Sequence, residues 1–171
     1  AFLEGGRTTE NGIHYLNGIP VHTTDFGHDN IFGFSTSNLA KWIEEKSFGK
    51  IQAKNILHVK IKQLDMAFND EDGFESLLKF LSKLENNTSV VVDAKLPHHL
   101  EILASAIKVV SKEKRFLFRT AASFINSLSA LPPNPKCTAD LVSLKSKNNE
   151  YKYKPGLIIV GSHVKLATDQ L

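Results

Sequence analysis

The sequence predicts an α/β layered domain built on a mainly parallel sheet. From about residue 56, short apolar runs alternate with stretches of helical periodicity, the pattern of strand–helix–strand units. Ser89-Val90-Val91-Val92-Asp93-Ala94 is a β-branched run short enough for a strand covered on both faces. Pro97 stands where a helix tolerates proline, and Leu100, Leu103, Ala104, Ile107 and Val110 follow at helical spacing.

Taken in order, Gly5-Gly6-Arg7-Thr8-Thr9 reads as a glycine-flexible loop, with no first strand before it. Apolar runs at 13–16 and 19–21 flank Asn17-Gly18 and predict a hairpin, because Asn-Gly suits the turn that matches strand twist. Leu39, Trp42 and Ile43 are spaced i, i+3, i+4 with Ser37 as a cap, which predicts a helix. Residues 56–61 alternate as a strand and 74–84 repeat as a helix. Phe116-Leu117-Phe118 predicts a further strand, with a helix starting at Thr120. Leu131-Pro132-Pro133-Asn134-Pro135 stops that helix and opens a polar segment to about Lys154. A last strand is expected at 157–160, leaving through Gly161-Ser162-His163. The whole fits a three-layer, Rossmann-like domain with a small β-hairpin excursion. Its loop-like opening and the barely begun helix at its end suggest a fragment of a larger protein.

The 171 residues suit one domain, or one and a small piece. With 42% hydrophobic and 23% charged residues, disorder as the main state is excluded, since too much apolar surface would stay in water. No apolar run approaches the ~20 residues that cross a bilayer, and the opening residues lack the basic-then-apolar pattern of a secretory signal. A single cysteine, Cys137, excludes an internal disulfide and a cysteine-rich zinc site, and fits a reducing, cytoplasmic setting. A net charge of +3 is too small to imply a nucleic-acid partner, and the late lysines have no aromatic platform beside them.

Parallel sheets bind ligands at the carboxyl ends of their strands, and Asp93, Arg119-Thr120 and Gly161-Ser162-His163 all follow expected strands. Arg7 places a guanidinium beside the Thr8 and Thr9 hydroxyls; it is a two-donor fork for carboxylate or phosphate, or else an exposed terminal arginine. Asp93 can accept hydrogen bonds from a polyol or act as a base, and equally can cap the helix after it. Arg119-Thr120-Ala121-Ala122-Ser123 combines a cation, hydroxyls and small residues at a helix start, which favours an anion or close helix–sheet packing. Adjacent His98 and His99 point about 100° apart on a helix, so they are not expected to ligate one metal together, and no metal site is assigned. Walker-type GxxxxGK[ST] and GxSxG signatures are absent.

Together these segments resemble the four-carbon acid sugar kinase family. Arg119-Thr120-Ala121-Ala122-Ser123-Phe124 is similar to the signature of one branch. Glu4-Gly5-Gly6-Arg7-Thr8 with Ile13-His14-Tyr15, Phe32-Gly33-Phe34, Ser37-Asn38-Leu39, and Trp42 with Glu44-Glu45-Lys46 are similar to family segments in the same order. Val160-Gly161-Ser162-His163 with Thr168 and Gln170 matches a later motif. The resemblance implies that an amino-terminal α/β domain binds a four-carbon sugar acid, while a carboxyl-terminal domain binds ATP with Mg²⁺. It places Arg7, Thr8, Asp93, Arg119 and Ser123 on the sugar-acid side and Gly161 and Ser162 toward the nucleotide. Residues 1–155 would be most of the sugar-acid domain and 156–171 the junction strand or the start of the nucleotide domain.

The family's paired aspartates precede the position of Ala1 and its nucleotide domain follows that of Leu171, so catalytic residues are expected outside this chain, which alone would be inactive. His163 stands where some members have Cys, and Val164 where they have Ser. The expected partners are the small sugar acid and the missing nucleotide domain, with room for a homodimer and no membrane or nucleic acid. A different reading is a non-catalytic binding or effector-like protein that retains the fold; a nucleotide-binding regulator ranks behind it.

Overall fold

The structure, a computed structural model, describes residues 1–130. The strand expected at 157–160, the Gly161-Ser162 turn and the boundary at 155/156 lie outside the described residues. Those described form a mixed α/β unit with two sheets. Strands β1 (Arg7–Glu10), β2 (Ile13–Leu16) and β3 (Ile19–Pro20) make an antiparallel meander, and β4 (Leu57–Val59) pairs in parallel with β5 (Val90–Val92). Among the described residues the antiparallel sheet is thus the larger.

The meander follows from two Asn-Gly turns. Asn17-Gly18 joins β2 to β3 and Asn11-Gly12 joins β1 to β2; all four residues have positive φ, between 50° and 80°, which is the mirror-image turn that matches strand twist. The expected opening loop is therefore in part a strand. Its Arg-Thr-Thr-Glu sequence buries only Thr9, so no apolar alternation announces it.

Helix α1 (Leu39–Lys46) is capped by Asn38, whose Oδ1 accepts from Lys41 N at 3.0 Å, rather than by Ser37. The Ser37 hydroxyl accepts from His22 N instead, at 2.9 Å. Helix α2 (Ile61–Asn69) begins two residues after β4, where the alternating run had suggested continued strand. Ile61 serves both patterns, which hides the boundary. Gln63 Oε1 reaches back to Lys60 N at 2.9 Å and closes the first turn. Asp70 ends α2 and caps α3 (Glu71–Ser82) by accepting from Gly73 N at 2.6 Å. Helix α4 (Pro97–Val110) opens on proline as expected, and α5 (Ala122–Ser129) packs against it.

Leu64, Leu77, Leu81, Leu100, Leu103, Ile107 and Phe124 form one buried core with Val59, against which Val90 and Val92 pack. The pleat sends alternate residues His58 and Val91 to the opposite face of this sheet. Residues 116–118 form no strand: neither β4 nor β5 pairs with them. Phe116 joins the core instead, the Phe118 ring lies 5.6 Å from that of Phe124, and Leu117 is fully exposed.

Candidate functional site

The meander is fastened to the carboxyl end of β5. Thr9 and Ala94 exchange backbone hydrogen bonds, both 2.9 Å. Asp93, 1% exposed, accepts from Asn11 N with Oδ2 and from Gly12 N with Oδ1, each at 2.9 Å. Both amides belong to the left-handed turn, where Gly12 has φ +73°, so the carboxylate neutralises two adjacent donors that would otherwise be unpaired. His58 Nε2 lies 2.9 Å from the same Oδ1 but is buried without a hydrogen bond, a contact and not a directed interaction. Asp93 is therefore turned inward as a clamp on the hairpin turn.

Arg7 opens β1, with its guanidinium 4.4 Å from the centre of the Phe26 ring. Thr8, half-buried, pairs with Tyr15 across the ladder and alternates with Arg7 and Thr9. Arg119 lies 4.7 Å over the Trp42 ring of α1. Among the described residues neither guanidinium makes a salt bridge. Stacking fixes the plane of each and leaves its edge N–H groups to meet a carboxylate.

Ser123, buried in the first turn of α5, accepts from Leu3 N at 3.0 Å and donates to the Glu4 carboxylate, which this bond holds below the ordinary glutamate range. Arg7 exchanges backbone hydrogen bonds with Phe2 at 2.8 and 2.9 Å. The Leu3–Ser123 bond thus ties the loop leading into Arg7 to the helix start that follows Arg119. An open recess of about 440 Å³ lies here, lined by Phe2, Glu4, Ala122, Ser123, Ile125, Asn126 and Ser129. Of the residues expected on the sugar-acid side, Arg7 and Ser123 flank this loop, while Asp93 sits at the far end of β1. Gly161 and Ser162 lie outside the described residues.

Two histidines were not anticipated. His58, in mid-strand, is masked in the sequence by an alternating run; a smaller cavity of about 160 Å³ beside it is lined also by Asn11, Gly12 and Asn38. His14 Nδ1 lies 3.0 Å from Thr9 Oγ1. Burial first, and then the charge of Arg7, push its pKa down to about 4. Between about 4 and the unfolded value near 6.5, the unfolded chain binds the extra proton. This contribution to stability is complete above pH 6.5 and shrinks as pH falls toward 4. Urea unfolding across that range should give a steeper loss for the wild type than for His14→Gln; equal slopes would refute the assignment.

The expected divergence of His98 and His99 is corrected. Their Nε2 atoms lie 3.0 and 2.9 Å from a single oxygen, Asp65 Oδ1 on α2. Their Cα–Cβ bonds diverge, but the rings fold back edge to face, 4.3 Å between centres, and so reach the same carboxylate.

No helix among the described residues is long and apolar enough to cross a membrane. A search of curated proteins finds no match. The structure is similar to the crystal structure of Haemophilus influenzae protein HI1011, described by the family model DUF1537, at 22% identity and a TM-score of 0.46. That match covers 63% of this chain and 24% of the other, so this chain spans about a quarter of that protein's length. Residues 1–128 match the family model of the sugar-binding N-terminal domain. The chain belongs to that family of sugar-binding N-terminal domains, in agreement with its resemblance to the four-carbon acid sugar kinases.

Proposed function

We propose that this chain is the substrate-binding part of an ATP-dependent kinase that phosphorylates a hydroxyl of a four-carbon sugar acid of the threonate, erythronate or oxo-tetronate kind. The observation that carries the reading is the pair of guanidinium groups, Arg7 and Arg119, each braced on an aromatic ring and free of salt bridges among the described residues. A sugar acid offers a carboxylate for such a fork and hydroxyls for neighbouring side chains. Thr8 supplies a hydroxyl beside Arg7; Ser123 acts by tying the loop that leads into Arg7 to the start of α5, and Asp93 by holding the hairpin turn that positions β1. The sheet is read as part of a three-layer, Rossmann-like domain, and residues 156–171, with Gly161 and Ser162, as the approach to the nucleotide. ATP with Mg²⁺ would supply the phosphoryl group in the parent protein, where positioning and charge neutralisation are the main demands. The setting proposed is cytoplasmic, with a homodimer as the assembly to look for.

Calorimetric titration of the chain with threonate and erythronate tests the reading. Binding is expected, and Arg7→Ala or Arg119→Ala should weaken it roughly 10–100-fold, the value of a charge-assisted hydrogen bond. No binding of either acid by folded protein, or binding indifferent to both substitutions, would overturn it. Phosphorylation is tested on the parent protein by ADP release with ATP and Mg²⁺; acid binding without turnover there would favour a non-catalytic binder.

A further inference from the structure

We propose that Asp65, His98 and His99 form a binding site for a borderline divalent cation of the Zn²⁺ class. One ligand atom from each residue can be chosen so that all three lie within 4.8 Å of one another. Donors at the usual Zn–N and Zn–O distances sit about 3.3 Å apart in a tetrahedral shell. The two N–O separations, 3.0 and 2.9 Å, are already near that size. The third separation, at most 4.8 Å, is left for rotation of the side chains to close.

The scaffold is stiff. Asp65 lies in the second turn of α2 and the histidines in the first turn of α4, two helices that pack together. Phe68 holds the His98 ring from the other side, 4.7 Å between centres. Burial is graded: the side chain of His99 is 2% exposed, that of His98 26% and that of Asp65 44%. The floor of the site is closed and its mouth is open, so further coordination positions face water or an incoming anion.

Two imidazoles and one carboxylate favour zinc, cobalt or nickel over magnesium, which takes oxygen donors. The site is thus separate in chemistry from any Mg²⁺ that accompanies ATP. It also has an internal competitor. His99 Nδ1 accepts from Lys95 N at 3.1 Å and Leu96 N at 3.2 Å. In the metal-free protein its proton is therefore on Nε2 and is donated to Asp65. A metal on Nε2 moves that proton to Nδ1 and releases both amides. Lys95 and Leu96 are exposed, so water can satisfy them. Metal binding and the cap at the start of α4 exclude each other.

The test uses the metal-stripped 171-residue chain. Calorimetry should find one equivalent of Zn²⁺ bound, with Mg²⁺ failing to compete. His98→Ala and Asp65→Asn, at partly exposed positions, should each weaken Zn²⁺ binding by more than about 100-fold, the upper end of what loss of even an outer hydrogen-bonding partner costs. His28→Ala, on an exposed loop, should leave it unchanged. Amide exchange in the unmutated chain provides a readout independent of variant folding: Zn²⁺ should speed exchange at Lys95 and Leu96. Absence of Zn²⁺ binding, undiminished binding in the two variants, or unaltered exchange at both amides would each overturn the site as drawn.

Discussion

Asp93→Ala is expected to destabilise the domain by about 2–5 kcal/mol, since two buried amides each lose their acceptor at a cost of about 1–3 kcal/mol. Two amides, Asn11 N and Gly12 N, lose their acceptor at once. Neither can turn away, because both belong to a turn whose residues have φ of 51° and 73°. Urea unfolding, followed by fluorescence of Trp42 and by amide dichroism, measures the loss. Asp93→Asn should retain part of the stability, since its one carbonyl oxygen can serve only one of the two donors well. Had Asp93 been a ligand for the sugar acid, both variants would stay fully stable and lose only binding. Unchanged stability in Asp93→Ala would remove the clamp.

The second large effect is expected at Gly73→Ala. A methyl group built there would lie 2.4 Å from the carbonyl carbon and oxygen of Met66 and 2.8 Å from Ala67 N. These are backbone atoms of α2, so no side chain can rotate to make room, and α3 must move. Overpacking costs of about 1–3 kcal/mol are usual where side chains can adjust; the upper end is expected here. The sign is diagnostic. Alanine is the better helix former by about 1 kcal/mol, so a surface glycine in a helix would gain stability from the same change. Thermal unfolding should show a clear fall in Tm for Gly73→Ala; a rise would mean that α2 and α3 do not cross so closely.

What could be read from the letters was what local chemistry determines. The Asn17-Gly18 hairpin, the Pro97 helix and the Val90-Val91-Val92 strand each announce themselves within a few residues. Strand β1 was hidden because Thr9 gains its burial from a distant partner, Ala94. Residues 116–118 carry strong strand propensity yet stay irregular, since propensity alone does not make a strand and neither described sheet pairs with them. The arginines were legible as candidates through their company of glycine, threonine and serine, whereas Phe26 and Trp42 as their supports were not. Asp93 illustrates the limit: a carboxylate after a strand suits a ligand, a helix cap or a clamp, and only the position of Asn11 and Gly12 distinguishes them. His98 and His99 show the same limit, because backbone direction on a helix does not fix where a long ring edge ends.

The bond from Asn11 to Asp93 spans 82 positions of chain. As the polypeptide leaves the ribosome, residues 7–20 emerge well before their anchoring aspartate, which arrives only after five more helices or strands have been made. A hairpin of so few residues is marginal in water on its own. Its docking is therefore a late event in biogenesis, and the newly made hairpin waits, open to proteases and chaperones, until β5 is in place.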